Sequence, residues 1–161
     1  MTRLALLSLI AVCLTSIVSA QENAPAGFGY WSADSLKQLQ QELKTEAASN
    51  AHRIGVRHLQ EFPNDLFMLS VREADGTVEW HENQADVFVV QSGSATLLVG
   101  GKMVGEETAG PHEKRASSIE GGTRVKLSSG DIVRIPAKTP HQLLLDGAKE
   151  FTYFVIKIKG Y

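Results

Sequence analysis

Residues 130–141 read GDIVRIPAKTPH and carry the most informative local pattern in the chain. A glycine precedes a short, mostly apolar run that is typical of a strand. A turn with a proline at each end follows, and His141 then opens another apolar run. The segment therefore predicts a strand, a stiff turn and a second strand that begins at His141.

A second group of polar residues lies upstream, in the strand-like stretch Glu79-Trp80-His81. Side chains two positions apart in a strand point to the same face, so Glu79 and His81 are expected side by side. Asp86 follows a short turn and begins the next predicted strand, from which it can approach His81. These residues and His141 are the candidates for a shared site.

From residue 53 onward the chain is dominated by short strand patterns separated by turns. Asp75-Gly76 is a strong hairpin signal, and residues 91–93 and 100–101 are also predicted to turn. Strands are predicted at 66–71, 77–82, 86–90, 95–99, 123–127, 131–135, 141–145 and 151–158. Many short strands with glycine and proline turns predict an all-β sandwich or barrel.

Two segments depart from this strand pattern. Residues 32–35 form a helix N-cap cluster, and Leu36, Leu39 and Leu43 recur at helical spacing, which predicts one amphipathic helix of about three turns. Residues 105–122 are polar and are predicted to be a long loop, either functional or mobile. Within it, His112 and Arg115 belong either to a solvated loop or to a lid that meets an anionic ligand.

The first twenty residues have the pattern of a secretory signal peptide. Arg3 precedes an apolar run at 4–18, and small residues at 18–20 suit cleavage before Gln21. A membrane anchor is the alternative, but the run is short for a bilayer span. The predicted organisation is a signal peptide at 1–20, a lead-in and helix at 21–52, and a β-barrel domain at 53–161. The mature protein would be exported, periplasmic or secreted, and free of the membrane.

Composition excludes several classes of function. The formal net charge is −2 and no basic patch is present, which argues against a nucleic-acid partner. The single cysteine lies within the predicted signal peptide, so the mature chain would have neither a disulfide nor a nucleophilic thiol. No glycine-flanked nucleophilic serine and no phosphate-binding glycine loop occurs in the sequence.

The two polar segments resemble the paired motifs of the cupin superfamily. His81, Asp86 and Gly93 match the second His, the Glu and the closing Gly of the first motif in spacing. Gly130, Pro136 and His141 match the Gly, Pro and His of the second. The resemblance covers about residues 65–158 and implies a cupin jelly-roll β-barrel, here with one N-terminal α-helix.

The resemblance also implies a divalent metal site in the barrel. Its ligands would be Glu79, His81, Asp86 and His141. Glu79 stands at the first His of the family motif and Asp86 at its Glu, so the site would offer two imidazoles and two carboxylates, which suit iron, manganese or zinc. Lys138 and Leu145 replace the Gly and Asn of the second motif. In the alternative interpretation the metal is lost, the carboxylates hydrogen-bond to the histidines, and Lys138 pairs with Asp86 as a substitute cation.

Family analogy then leads to two functional hypotheses. The first is a metal site that binds or transforms a small molecule, with a dioxygenase-like or isomerase-like reaction if the protein is an enzyme. The second is a metal-free, non-catalytic module that binds a sugar or a small acid. Cupins often pair, so a homodimer in which the barrel mediates assembly is a third alternative.

Overall fold

The computed structural model describes residues 24–160, and the chain divides into two compact units with the boundary after Tyr30. In the described part of the first unit the Phe28 N–H donates a 3.0 Å hydrogen bond to the Pro25 carbonyl. The helix and the strands of the described residues belong to the second unit. The predicted signal peptide and its cleavage point lie outside the described residues.

Twelve strands make up most of the second unit, and every pairing between them is antiparallel. They are β1 (Ile54–Glu61), β2 (Asp65–Arg72), β3 (Val78–His81), β4 (Gln84–Val99), β5 (Lys102–Val104), β6 (Glu107–Gly110), β7 (Glu113–Ala116), β8 (Ser118–Glu120), β9 (Thr123–Ser128), β10 (Ile132–Ile135), β11 (His141–Leu144) and β12 (Phe151–Lys159). With α1 (Ala33–Ser49), the one helix among residues 24–160, this confirms the predicted all-β class with one N-terminal helix.

Strand β4 belongs to two sheets at once. The first sheet has the order β1-β2-β12-β4-β10 and the second has the order β9-β4-β11-β3-β7-β6. Gly93 lies where β4 passes from one sheet to the other and has a φ of 79°. A Cβ at this position would lie 2.1 Å from the Glu150 carbonyl oxygen, so only glycine fits. The prediction of a turn at 91–93 is therefore wrong, because the glycine bends one continuous strand.

Helix α1 packs on the outer face of β1 and β2. The Ser32 hydroxyl accepts a 3.1 Å hydrogen bond from the Ser35 N–H and caps the helix. Leu43 is fully buried, and a Cβ at Gly55 of β1 would lie 2.3 Å from the Leu43 carbonyl oxygen. The glycine thus lets the helix backbone lie directly on the strand. No helix among residues 24–160 is long and apolar enough to cross a membrane.

The prediction of a long loop at 105–122 is also wrong. This segment contains β6, β7 and β8, and β7 pairs with β3 so that Glu113 lies opposite His81. Residues 107–115 are polar on both faces, so the alternation of apolar and polar residues that reveals most strands is absent. Strand β7 nevertheless lies beside the strand that carries two candidate site residues.

Apolar side chains from both sheets fill the space between them. This core consists of Phe88, Val90, Ala95, Leu97, Leu127, Ile135, Leu143, Leu145, Phe151, Tyr153 and Val155. A smaller cluster of Leu43, Leu69 and Val71 joins the helix to β2. The polar candidate residues and a cavity lie between the sheets beside the main core.

Candidate metal centre

The structure brings all four predicted site residues together. Glu79 and His81 lie on β3, His141 lies opposite Glu79 on β11, and Asp86 approaches from β4 of the other sheet. One potential ligand atom from each residue falls within a group whose members are all within 4.8 Å of one another. Asp86, His81 and His141 are 2–3% exposed and are shielded from bulk water, whereas the Glu79 side chain is 30% exposed.

The separations within this group suit a common ion. His81 Nε2 lies 3.3 Å from Asp86 Oδ2 and 3.4 Å from Glu79 Oε2, and His141 Nε2 lies 3.4 Å from Asp86 Oδ2. Two ligand atoms that each lie about 2.1 Å from one metal ion are roughly 3.0–3.4 Å apart. The donor set and its spacing therefore fit a divalent metal.

Both imidazole rings are held by the nitrogen that faces away from the group. His141 Nδ1 donates to the Thr139 carbonyl at 3.0 Å, and His81 Nδ1 donates to Glu113 Oε1 at 2.7 Å. Metal-binding histidines are commonly oriented in this way by a carbonyl or a carboxylate. His141 Nε2 is buried and has no hydrogen-bond partner among the residues that the structure describes. An ion in the group would give this nitrogen the partner that it lacks.

A lysine also reaches into the group. Lys157 Nζ lies 3.0 and 3.2 Å from the two Asp86 carboxylate oxygens and 3.0 Å from His81 Nε2. Lys157 on β12 is the cross-strand partner of Asp86 on β4. The cation that pairs with Asp86 is therefore Lys157, whereas Lys138, which the sequence suggested for this role, is exposed on the turn before His141.

Sequence reasoning missed Lys157, although a signal for it exists. The residues of β12 at 151, 153 and 155 are buried in the core, and position 157 has the same parity. A lysine on the inward face of an otherwise apolar strand needs a buried partner. The pairing of β12 with β4, which supplies Asp86, comes from the fold and not from either strand's own pattern.

Two residues of the segment 105–122, which was predicted to be a loop, lie beside the site. Glu113 accepts from His81, and Arg115 Nη1 donates to Glu113 Oε2 at 2.9 Å. Arg115 Nη2 also lies 4.0 Å from Glu79 Oε1. Arg115 therefore contacts the carboxylates around His81 in this structure, and it is not part of an open lid.

Electrostatics within the group favour its charged forms. Burial alone would raise the pKa of Glu79, but the hydrogen bond from His81 and the charge of Arg115 lower it to about 2. Burial opposes the charged form of His81 as well, yet Asp86 and Glu79 raise its pKa to about 9. The pKa of Asp86 is well below its usual range despite burial, because His141, His81 and Lys157 surround it. Lys157 works against the raised pKa of His81, since both groups compete for Asp86.

A partly open cavity of about 90 Å³ adjoins the group between the two sheets. Its polar lining includes Glu79, Asp86, His141 and Lys157, and also Arg72 and Tyr153. Its apolar lining includes Met68, Phe88, Leu143 and Val155. A small molecule in this cavity would therefore lie next to the polar group.

Comparisons with known proteins address the fold. No protein-family model and no curated protein sequence matches the chain. A double-stranded β-helix domain protein from Klebsiella pneumoniae is similar in structure, with a TM-score of 0.52, 17% identity, and 70% and 81% of the two chains covered. Pac13 from Streptomyces, described as a nucleoside dehydratase, has a TM-score of 0.50 at 11% identity, covering 70% and 74%.

A third similar structure is the cupin domain of Schizosaccharomyces pombe Cnp3. It has a TM-score of 0.50 and 10% identity over 66% of this chain, and the alignment spans 65% of the length of that domain. At identities this low, the structural similarity establishes a shared fold alone. The site has to be argued from its own residues. The chain therefore has the cupin, or double-stranded β-helix, fold that its two motifs predicted.

Proposed function

We propose that this protein holds a divalent metal ion between its two sheets and uses it to bind or transform a small molecule in the adjoining cavity. The ligands are His81, Asp86 and His141, with Glu79 as the fourth. The observation that carries the proposal is the convergence of two imidazoles and two carboxylates within 4.8 Å of one another, with three of the contacts at 3.3–3.4 Å. The Nδ1 atom of each imidazole is held by a hydrogen bond on the side that faces away from the group.

The donor set limits the metal and its chemistry. Two histidines with carboxylates suit iron, manganese or zinc. A bound ion of this kind supplies Lewis-acid or redox chemistry. The protein's own residues set the geometry, since the Thr139 carbonyl and Glu113 fix the two imidazoles and Arg115 holds Glu113 in place. The reaction class stays a prediction from family analogy, dioxygenase-like or isomerase-like.

Lys157 is the resident cation of the metal-free protein in this proposal. Its ammonium group already contacts Asp86 and His81, and an ion bound to those two residues would repel it. The lysine side chain is 16% exposed and has four flexible carbons, so it is able to turn towards the cavity when an ion enters. Metal binding therefore replaces one cation at Asp86 with another.

The metal-free module is the second candidate function, and the same contact favours it. Lys157 neutralises Asp86 in the absence of any ion, so the site is stable without metal. In this alternative the cavity binds a sugar or a small acid, and no reaction takes place.

Elemental analysis separates the two candidates. Mature protein purified without chelator or histidine tag, then incubated with iron, manganese or zinc and desalted, is expected to hold one ion per chain. His141→Ala and His81→Ala should each remove the ion. His58→Ala, on the exposed face of β1, is the matched control and should keep it. Wild-type protein that stays metal-free after each incubation would contradict the metal proposal.

We also propose that the protein is exported, on the basis of the pattern in residues 1–20. Sequencing of the N terminus of the mature protein is expected to begin at Gln21. A full-length chain with Met1 or Thr2 at its N terminus would contradict this proposal.

A further inference from the structure

The cavity wall contains a second cation, the buried guanidinium of Arg72, at the end of β2. Arg72 is 9% exposed, and its Nε is buried without a hydrogen-bond partner. Its one hydrogen bond in the described part of the chain runs from Nη2 to the Tyr153 hydroxyl at 3.5 Å. A guanidinium has five N–H donors, so most of them have no protein acceptor.

Arg72 also has no carboxylate of its own. No acidic group of residues 24–160 lies within 4.0 Å of its guanidinium. The acidic residues of the cavity, Asp86 and Glu79, lie within 4.0 Å of Lys157, His81 or Arg115. Glu79 and Asp75 attract the guanidinium only from beyond that distance. A buried and permanently charged group without a contacting anion is costly, and an anion from outside would relieve that cost.

The surroundings hold the guanidinium in place at the cavity wall. A Cβ on Gly76 would lie 3.1 Å from Arg72 Nη1, so this glycine leaves the room in which the guanidinium lies. The Gly76 carbonyl accepts a 2.8 Å hydrogen bond from Gln142, which fixes the backbone on that side. The Arg72 side chain therefore lies against a backbone surface shaped to receive it.

We propose that Arg72 binds the carboxylate of a small organic acid in the cavity, which makes organic acids the substrate class of the metal site proposed above. The fork of N–H donors matches the two oxygens of a carboxylate. Glu79, Arg72 and Thr77 line both this cavity and the neighbouring surface pocket, so an acid that enters from that side meets the guanidinium. Met68, Phe88 and Leu143 offer apolar contacts to the carbon skeleton.

Phosphate is the weaker candidate for the same cation. A phosphate dianion carries more charge than one guanidinium neutralises, and its dehydration in a largely apolar cavity costs more than that of a carboxylate. Glu79 and Asp86 on the cavity wall repel any anion, and they would repel a dianion about twice as strongly as a carboxylate.

Calorimetry with acids and their neutral amides tests the inference. The probes are acetate, lactate, succinate and glucuronate, each compared with acetamide, lactamide, succinamide or glucuronamide, and inorganic phosphate is titrated in parallel. At least one acid is expected to bind tenfold or more tightly than its amide. Equal binding of every pair, or tighter binding of phosphate than of any acid, would overturn the proposal.

Variants assign the preference to Arg72. Arg72→Met is expected to weaken binding of the preferred acid by about 10- to 100-fold and that of the amide much less, as the loss of charged hydrogen bonds predicts. Arg72→Lys keeps the charge and should retain part of the preference, which also covers the case in which the methionine variant does not fold. Arg57→Met removes an exposed arginine from β1 and should bind like wild type. Unchanged acid binding in folded Arg72→Met or Arg72→Lys would refute the role of Arg72.

The titrations are run on metal-loaded protein and on protein that has been stripped with a chelator and desalted. An Arg72-dependent preference for acids in a protein that never binds metal would sustain this inference and refute the metal site. One ion per chain without any preference for acids would refute the inference and sustain the metal site.

Discussion

The cavity is lined by two cations, the half-buried Lys157 and the buried Arg72, and their contacts differ. Lys157 contacts both oxygens of Asp86 and one nitrogen of His81. Arg72 makes a single long hydrogen bond to a neutral hydroxyl and no ion pair within the described residues. The protein thus supplies a contacting anion for Lys157, and in our proposal a ligand supplies the anion for Arg72. A buried charged side chain indicates a functional site most clearly when no oppositely charged group of the protein contacts it. Four predictions test the difference between Lys157 and Arg72.

The largest effect is expected from Asp86→Asn. This change removes the carboxylate that Lys157 and the two histidines share, and loss of one partner from a buried charged pair typically costs about 3–5 kcal/mol. The free energy of unfolding of the metal-free protein should fall by that amount in urea titrations. Glu61→Gln removes the surface carboxylate partner of Lys159, on the same strand β12, and should change little. A small effect of Asp86→Asn would mean that Lys157 needs no partner.

Removal of the resident cation should improve metal binding. Lys157→Met abolishes the competition for Asp86, so the affinity for zinc or manganese is expected to rise at least tenfold, or about 1.4 kcal/mol. Competition with a chromophoric chelator measures the affinity. Lys159→Met, two residues further along β12, is the control and should bind as wild type does. Weaker metal binding in Lys157→Met would show that the lysine supports the ion instead of competing with it.

The pH dependence of stability should report on the site around Lys157. His81 has a pKa of about 9 in the folded protein against an ordinary 6.5. Its contribution to the free energy of unfolding is therefore complete below pH 6.5 and is lost as pH rises through 9. Glu79 has a pKa of about 2 in the folded protein against an ordinary 4.5. Its contribution to stability is therefore complete above pH 4.5 and is lost as pH falls towards 2. The free energy of unfolding, measured in urea with chelator present, should therefore be highest between about pH 4.5 and 6.5. His81→Gln should flatten the alkaline limb, and an unchanged slope would contradict the assignment.

The smallest effect belongs to the Arg72 side of the comparison. Tyr153→Phe removes the one hydrogen-bond partner of Arg72, and because that bond is long, the loss of stability should be less than about 1 kcal/mol. Thermal or urea unfolding measures it, with Tyr153→Leu as a packing control that should cost more. A loss of several kcal/mol in Tyr153→Phe would show that the hydroxyl satisfies the guanidinium and that no external anion is needed.

The sequence predicted the residues whose signals are local. Alternation along Glu79-Trp80-His81 and the spacing from Gly130 to His141 were sufficient to group the four candidate ligands, and the structure brings them together. The helix was also predicted, but it continues past Leu43 to Ser49. Ser32 caps the helix, and Asn50 ends it by hydrogen-bonding the carbonyls of Glu46 and Ile54.

The residues that were missed depend on contacts between distant segments. Lys157 meets Asp86 because β12 pairs with β4, about 70 positions away, and neither strand encodes that register by itself. Glu113 lies in a strand that is polar on both faces, so it resembled a loop. The predicted strand at 66–71 stopped one residue before Arg72, because a charged residue at the end of an apolar run is normally assigned to the turn that follows.

The passage of β4 from one sheet to the other has a mechanical consequence for a loaded site. Glu79, His81 and His141 come from one sheet, whereas Asp86 comes from the other. An ion coordinated by all four residues would therefore link the two sheets to each other. Strand β4, whose backbone runs through both sheets, already joins them. Motion of one sheet relative to the other would then be limited to bending of β4 at Gly93. Amide hydrogens of β3 and β11 should exchange with solvent more slowly once the ion is bound.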